Sequence, residues 1–389
     1  MKRIIAGTAA ALLAAVLFLP LETAAVSAEK AILLDAVSGR VLYEKNADER
    51  SLIASTTKIM TALVICEQCN VLDRMRIPKE AVGIEGSSMY LKEGEILTLQ
   101  ELLYGLMLSS GNDAAVALAI YCGGTVEGFA ELMNDKARIL GLTGTHFENP
   151  HGLDTPGHYA TARDLAVLAD YAMDNPIFYK TVSAKTVTLG ERVLRNHNKL
   201  LWQVEGADGV KTGYTKAAGR ILVSSATRNG RRLIAVTIND GNDWQDHARL
   251  LETGFSEYET RLLLKEGDCV GSVAVMGAGG SVQLLAKADF SYAVAPGEKV
   301  EICVPGPGFV YAPVVQGADA GYAHVTINGN PVGRMELVYG ETVELPVEKD
   351  VSLWDRLFGG KAHERAASEN TIRQGRLLQT ESGGTDPKR

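Results

Sequence analysis

No long block of lysine or arginine occurs in this 389-residue sequence, whose formal net charge is −8. Its absence argues against the basic footprint with which nucleic-acid-binding proteins neutralise phosphates, so no nucleic acid is expected as a partner. Cysteine is scarce and odd in number: Cys66, Cys69, Cys122, Cys269 and Cys303. At least one is therefore unpaired within a monomer. Cys66-x-x-Cys69 has the spacing of a redox or metal pair, but it falls in an apolar helical stretch and no second ligand pair follows. Both are read as helix residues, and no metal is expected. The C-terminal segment lacks the length to cross a bilayer. Val351, Trp354, Leu357 and Phe358 share one face of a possible amphipathic helix, yet about ten residues reach only about 15 Å. Such a helix is suited to lying on a membrane surface.

Apolar residues, by contrast, make up 46% of the chain, enough over this length to bury at least one sizeable core. At the N-terminus Lys2 and Arg3 precede an apolar run from Ile4 to Leu19, and Val26-Ser27-Ala28 follows. The pattern is that of a secretory signal peptide, residues 1–28, cleaved after Ala28. The rest of the chain is expected to be exported.

Two short strands, "AILLDA" and "RVLYEK", meet around Ser38-Gly39, whose residues suit a tight turn. A largely helical region follows, from about Ser55 to about Tyr179. Within it "LTLQELLYGLML" opens with a capping box, Thr98 with Glu101. A Ser-Ser-Gly-Asn break separates it from "DAAVALAIY". The segments "DGVKTGYT", "GRILVSSATR" and "RLIAVTIN" then read as strands, with Asn229-Gly230 as a type I′ hairpin signal. Strands flanking a helical insert give an α+β domain over residues 29–262, in which the first and last strands share an antiparallel sheet. Residues 263–348, with closely spaced Gly/Pro turns, read as a small all-β sandwich. Residues 349–389 hold the possible amphipathic helix and a polar tail.

Three short motifs carry chemistry. Ser55-x-x-Lys58 places a hydroxyl and an amine on one helical face, so that a lysine with a lowered pKa can take the serine proton. Ser110-Gly111-Asn112, at the break between helices, sets a proton relay and an amide-binding group at a cleft. Lys211-Thr212-Gly213, on a strand, offers a cation, a hydroxyl and close backbone approach to a carboxylate. Each motif alone is weak: Ser27-Ala-Glu-Lys30 and Ser368-Glu369-Asn370 repeat the first two spacings in the signal region and the polar tail.

In this order, on an early helix, in a helical insert and on a late strand, the three motifs resemble those of the penicillin-binding protein and serine β-lactamase superfamily. Within it the chain resembles the low-molecular-mass D-alanyl-D-alanine carboxypeptidases over residues 29 to 345, including "FENPHGLDTPGHYATARDLA" and "DGVKTGYTKAAGR". The resemblance implies a penicillin-binding serine hydrolase acting on peptidoglycan stem peptides and acylated by β-lactam antibiotics. Ser55 would be the nucleophile and Lys58 the general base. Ser110 and Asn112 would assist proton transfer and orient substrate. Lys211, Thr212 and Gly213 would hold its carboxylate, and the backbone N–H groups of Ser55 and Tyr214 would form the oxyanion hole. No metal or organic cofactor is implied. Action at the cell wall or the outer face of the cytoplasmic membrane is implied, with the C-terminal helix as a peripheral contact. Some relatives carry a carboxylate-binding arginine late in the domain, and in "NDGNDWQDHARLL" its counterpart has no clear place. His151, His158, His197 and His247 are read as loop and packing residues. A DD-endopeptidase, a β-lactamase and a non-catalytic wall-binding protein are the alternative readings.

Overall fold

The computed structural model describes residues 26–346. The N-terminal apolar run and the possible C-terminal amphipathic helix lie outside the described residues. Two compact units are distinguished: one runs to Lys265 and takes in Asp289–Val300 and Ile327–Gly329, and the other comprises Glu266–Ala288, Glu301–Thr326 and the chain from Asn330.

The first unit opens with strands β1 (Lys30–Asp35) and β2 (Val41–Lys45). A 3-10 turn, Ala54–Thr57, leads directly into helix α1 (Lys58–Gln68). Every residue of α1 from Lys58 to Cys66 is buried, so it is a central helix rather than an amphipathic surface one. The short strands β3 (Arg74–Arg76) and β4 (Ile96–Thr98) pair within the region read as helical. Helix α2 (Leu99–Leu108) begins with the expected reciprocal capping box between Thr98 and Glu101. Helices α3 (Asn112–Gly123), α4 (Val126–Ile139), α5 (Ala162–Met173) and α6 (Pro176–Ser183) follow. A hairpin of β5 (Thr186–Leu189) and β6 (Arg192–Arg195) and a single helical turn, α7 (Leu200–Gln203), lead to the late strands.

These are β7 (Ala207–Thr215), β8 (Gly219–Arg228) and β9 (Arg231–Ile238), followed by α8 (Asp243–Glu257). The hairpin between β8 and β9 has Asn229 at φ 50° and Gly230 at φ 79°, the signs a type I′ turn requires. The sheet order is β2-β1-β9-β8-β7, with all neighbours antiparallel, so the first and last segments share one sheet as the sequence suggested. Alternation puts Ile32, Leu34, Ile234 and Val236 into the main helical core and Ala31, Leu33, Leu233 and Ala235 against α8. Strand β7 is an edge, so one row of its backbone groups is not used by the sheet.

A two-stranded ribbon pairs β10 (Glu259–Leu264) with a later strand. The second unit contributes β11 (Cys269–Met276) and β12 (Ser281–Ala286). The partner of β10 is β13 (Phe290–Val294), and β14 (Val300–Cys303), β15 (Phe309–Tyr311), β16 (Asp319–Ile327) and β17 (Asn330–Tyr339) complete the strands. This part is all-β, as expected. Six strands hydrogen-bond in one sheet, β14-β16-β17-β12-β11-β15, and enclose a small core that includes Val275, Val282, Ala323 and Leu337.

Candidate active site

Ser55 lies in the 3-10 turn, one residue after Ala54, whose φ is 45°. An alanine rarely adopts that conformation, so the turn is held by its surroundings. Side chains three residues apart eclipse in a 3-10 turn, which brings Lys58 Nζ to 3.0 Å from Ser55 Oγ. Lys58 also lies 2.7 Å from Asn112 Oδ1 and 2.6 Å from the carbonyl oxygen of His151, donating to both. Its side chain is fully buried. Desolvation, reinforced by the positive charge of Lys211 and opposed by Asp113, pushes its pKa well below the ordinary lysine value.

Each partner of Lys58 is fixed in turn. Asn112 donates from Nδ2 to the Glu85 carbonyl at 2.6 Å. Neighbouring Asp113 gathers the segment beyond Glu85 by accepting from Ser88 Oγ, Met89 N and Leu91 N. The His151 carbonyl is set by a turn in which Asn149 Oδ1 accepts from the amides of His151 and Gly152, while Thr61 Oγ1 donates to Pro150 O. Gly152 has φ +86°, and a Cβ there would stand 1.8 Å from Ala54 O, so only glycine lets this turn close on the nucleophile turn.

The cleft at Ser55 holds about 290 Å³ and is lined by Ser110, His197, Thr212, Gly213 and Tyr214 among others. Ser110 sits at φ 58° and is almost wholly buried, with no hydrogen bond to Ser55 or Lys58 among the described residues. Gly213 on β7 faces the nucleophile turn, where a Cβ would meet Ile53 O, Ser55 N and Thr56 N at 3.2 to 3.3 Å. Two expected site residues are buried next to the cleft without lining it. Asn112 is turned inward to Lys58. Lys211 shares the face of β7 with Gly213, is fully buried, donates to Thr212 O at 2.8 Å, and is near enough to Lys58 and His197 for its charge to lower the pKa of both. Burial lowers the Lys211 pKa to about 7.

Further groups at the cleft were not singled out from sequence. Arg220 lies opposite Tyr214 across the β7–β8 hairpin and makes a bidentate pair with Asp243, Nη2 to Oδ1 at 2.6 Å and Nε to Oδ2 at 3.1 Å. It lines the same cleft, as does Trp244. Hairpin register was the one signal that could have found it. The histidines divide. His158 donates from Nε2 to Thr57 Oγ1 while its Nδ1 accepts the Glu148 amide, a neutral tautomer consistent with burial holding its pKa to about 4. His247 is buried between Ser224 and Thr237. These two are packing residues, whereas His151 serves through its carbonyl and His197 lines the cleft.

Residues 19–242 match the family model described as D-alanyl-D-alanine carboxypeptidase, and residues 258–345 that described as penicillin-binding protein 5, C-terminal domain. The chain is 36% identical over 344 residues to D-alanyl-D-alanine carboxypeptidase DacC of Escherichia coli, covering 83% of this chain and 86% of that one. It is 38% identical to DacF of Bacillus subtilis over 64% of this chain and 67% of the relative. Penicillin binding protein 5 from Haemophilus influenzae superposes with a TM-score of 0.73 at 32% identity, over 82% of this chain and 98% of that structure.

Proposed function

The chain belongs to the D-alanyl-D-alanine carboxypeptidase family, and we propose that Ser55 is the nucleophile with which it removes the terminal D-alanine from peptidoglycan stem peptides. One observation carries this assignment. A neutral lysine amine has two hydrogens and one lone pair. The Asn112 Oδ1 and His151 carbonyl oxygens accept only, and they occupy both hydrogens. The lone pair is left to face Ser55 Oγ, whose hydroxyl then donates to it. A base whose pKa burial lowers, aimed by two acceptors, is what a serine nucleophile requires.

Attack of Ser55 Oγ on the penultimate D-alanine carbonyl transfers the serine proton to Lys58 Nζ. Ser110, at the cleft wall, relays that proton from Lys58 to the leaving amine. Water then cleaves the ester and regenerates the serine. The amides of Ser55 and Tyr214 form the oxyanion hole, a reading supported by the free edge of β7 and the close approach of Gly213 to the nucleophile turn. Thr212 contacts the substrate carboxylate, with Lys211 supplying positive charge from the same strand and Arg220 from the adjoining one. The same nucleophile is the target of β-lactams. Release of D-alanine from a diacyl-Lys-D-Ala-D-Ala peptide by the purified protein tests the reading, and acylation by penicillin without such release shifts it to a DD-endopeptidase.

We propose that the chain acts outside the cytoplasm, a reading supported by the family's peptidoglycan chemistry, and that residues 349–389 make a peripheral membrane contact, a reading supported by the apolar spacing of Val351, Trp354, Leu357 and Phe358 in the sequence. Deleting those residues is expected to move the protein from the membrane to the soluble fraction. Unchanged fractionation would count against the contact.

A further inference from the structure

A second cavity of about 740 Å³ adjoins the catalytic cleft and shares His197 with it, with Arg195, Lys199 and Trp202 among its lining. The segment Arg195-Asn196-His197-Asn198-Lys199 alternates: both asparagines are buried and the other three side chains are exposed. Asn196 donates to the Val182 and Ala184 carbonyls, and Asn198 to Gly209 O at 2.7 Å, so the outward groups stand on a fixed base. Trp202 is 43% exposed, with the Arg195 guanidinium 5.2 Å and Lys185 Nζ 5.9 Å from its ring centre. Lys199 lies 5.7 Å from the ring of Trp244, which lines the catalytic cleft itself. Among the described residues none of Lys185, Arg195 and Lys199 has a carboxylate within 4.0 Å, whereas Arg40, Arg163, Arg192, Arg228 and Arg231 all do. A chain of net charge −8 thus leaves three cations unneutralised beside its cleft.

We propose that this cavity is a subsite for a carboxylate-bearing part of the peptide substrate outside its terminal D-alanine pair. The guanidinium offers a planar fork to a carboxylate, the lysines add point charges, and the indole face packs against aliphatic stem. The subsite rests on the carboxypeptidase reading. Its test compares two N-acetylated pentapeptides ending in D-Ala-D-Ala, one with two side-chain carboxylates and one with both amidated. The acidic peptide is expected to show kcat/KM about tenfold higher at low ionic strength, with the gap closing at high salt. The double variant Arg195→Gln, Lys199→Gln is expected to erase the preference and leave turnover of the amidated peptide unchanged. Equal kcat/KM for the two peptides in the wild type, or a preference the double variant retains, overturns the subsite while D-alanine release sustains the carboxypeptidase. No release from either peptide and no penicillin acylation overturns both.

A separate observation bears on processing. Val26 and Ala28 are buried, and Ser27 Oγ lies 2.7 Å from both Asp240 Oδ1 and Asp246 Oδ2, two buried carboxylates, the second of which also accepts from the Ser27 amide. Lys45 Nζ donates to the carbonyls of Val26 and Ala28. Cleavage after Ala28 would remove all of these contacts. We infer that the mature chain retains Val26-Ser27-Ala28, with the signal peptidase cutting before Val26, where Ala24 and Ala25 supply small residues. Intact mass of the exported protein is expected to include these residues. A mass beginning at Glu29 overturns the inference.

Discussion

Replacing Ser55 with alanine is expected to abolish covalent labelling by a fluorescent penicillin and to lower kcat/KM for D-alanine release by about a millionfold, the scale on which loss of a covalent nucleophile registers. The effect should be confined to chemistry. Among the described residues Ser55 Oγ has one side-chain partner, Lys58 Nζ at 3.0 Å, and that amine keeps its two carbonyl acceptors when the hydroxyl is gone. Thermal unfolding of the variant should therefore stay close to that of the wild type. Persistent stoichiometric labelling of a folded Ser55→Ala protein would remove Ser55 from the mechanism.

Lys58→Met should come next in size. Methionine fills a similar volume in a fully buried position and removes only the amine. Acylation is expected to fall by about a thousand- to ten-thousandfold, the upper range for a general base. The pH profile separates loss of a base from loss of shape. In the wild type, acid protonates Lys58 and removes its lone pair, so the rate falls as pH drops through a pKa that burial holds well below the ordinary lysine value. Lys211 sets the opposite limb. Its pKa is near 7 in the free protein, so its charge is lost as pH rises beyond that point and kcat/KM declines with it. A bound carboxylate favours the charged form, so the basic limb of kcat should lie higher than that of kcat/KM. Residual Lys58→Met activity should lack the acid limb and keep the basic one. An unchanged acid limb in the variant would assign that titration to another group.

The three motifs were legible because each is a short run of residue types whose order along the chain matches the order of the elements. The antiparallel sheet was legible because its late strands carry long apolar alternation and an Asn-Gly turn. Other parts escaped for physical reasons. The contribution of His151 is a backbone carbonyl aimed by the Asn149 turn, and no side-chain pattern announces a carbonyl direction. The spacing that marks Asn112 as a substrate group does not announce that its amide also holds Lys58 and the Glu85 carbonyl. Arg220 and Asp243 lie on β8 and at the start of α8, and they meet only through the fold. The β3–β4 pair was missed because each strand spans only three residues, too few for alternation to register.

Strand β1 pairs along its length with β9, Lys30 opposite Ile238, a closure over on the order of 200 residues. Until the ribosome has delivered β9, the sheet lacks its central strand, and nothing joins the β7–β8 hairpin that completes the cleft to β1. A nascent chain therefore carries Ser55 as an ordinary alcohol beside an ordinary, water-exposed ammonium. Reactivity toward penicillin switches on with the closing of the domain rather than growing with chain length. The proposed nucleophile is in this sense a built-in timer, expected to be silent during synthesis and active only once the late strands have docked on the first.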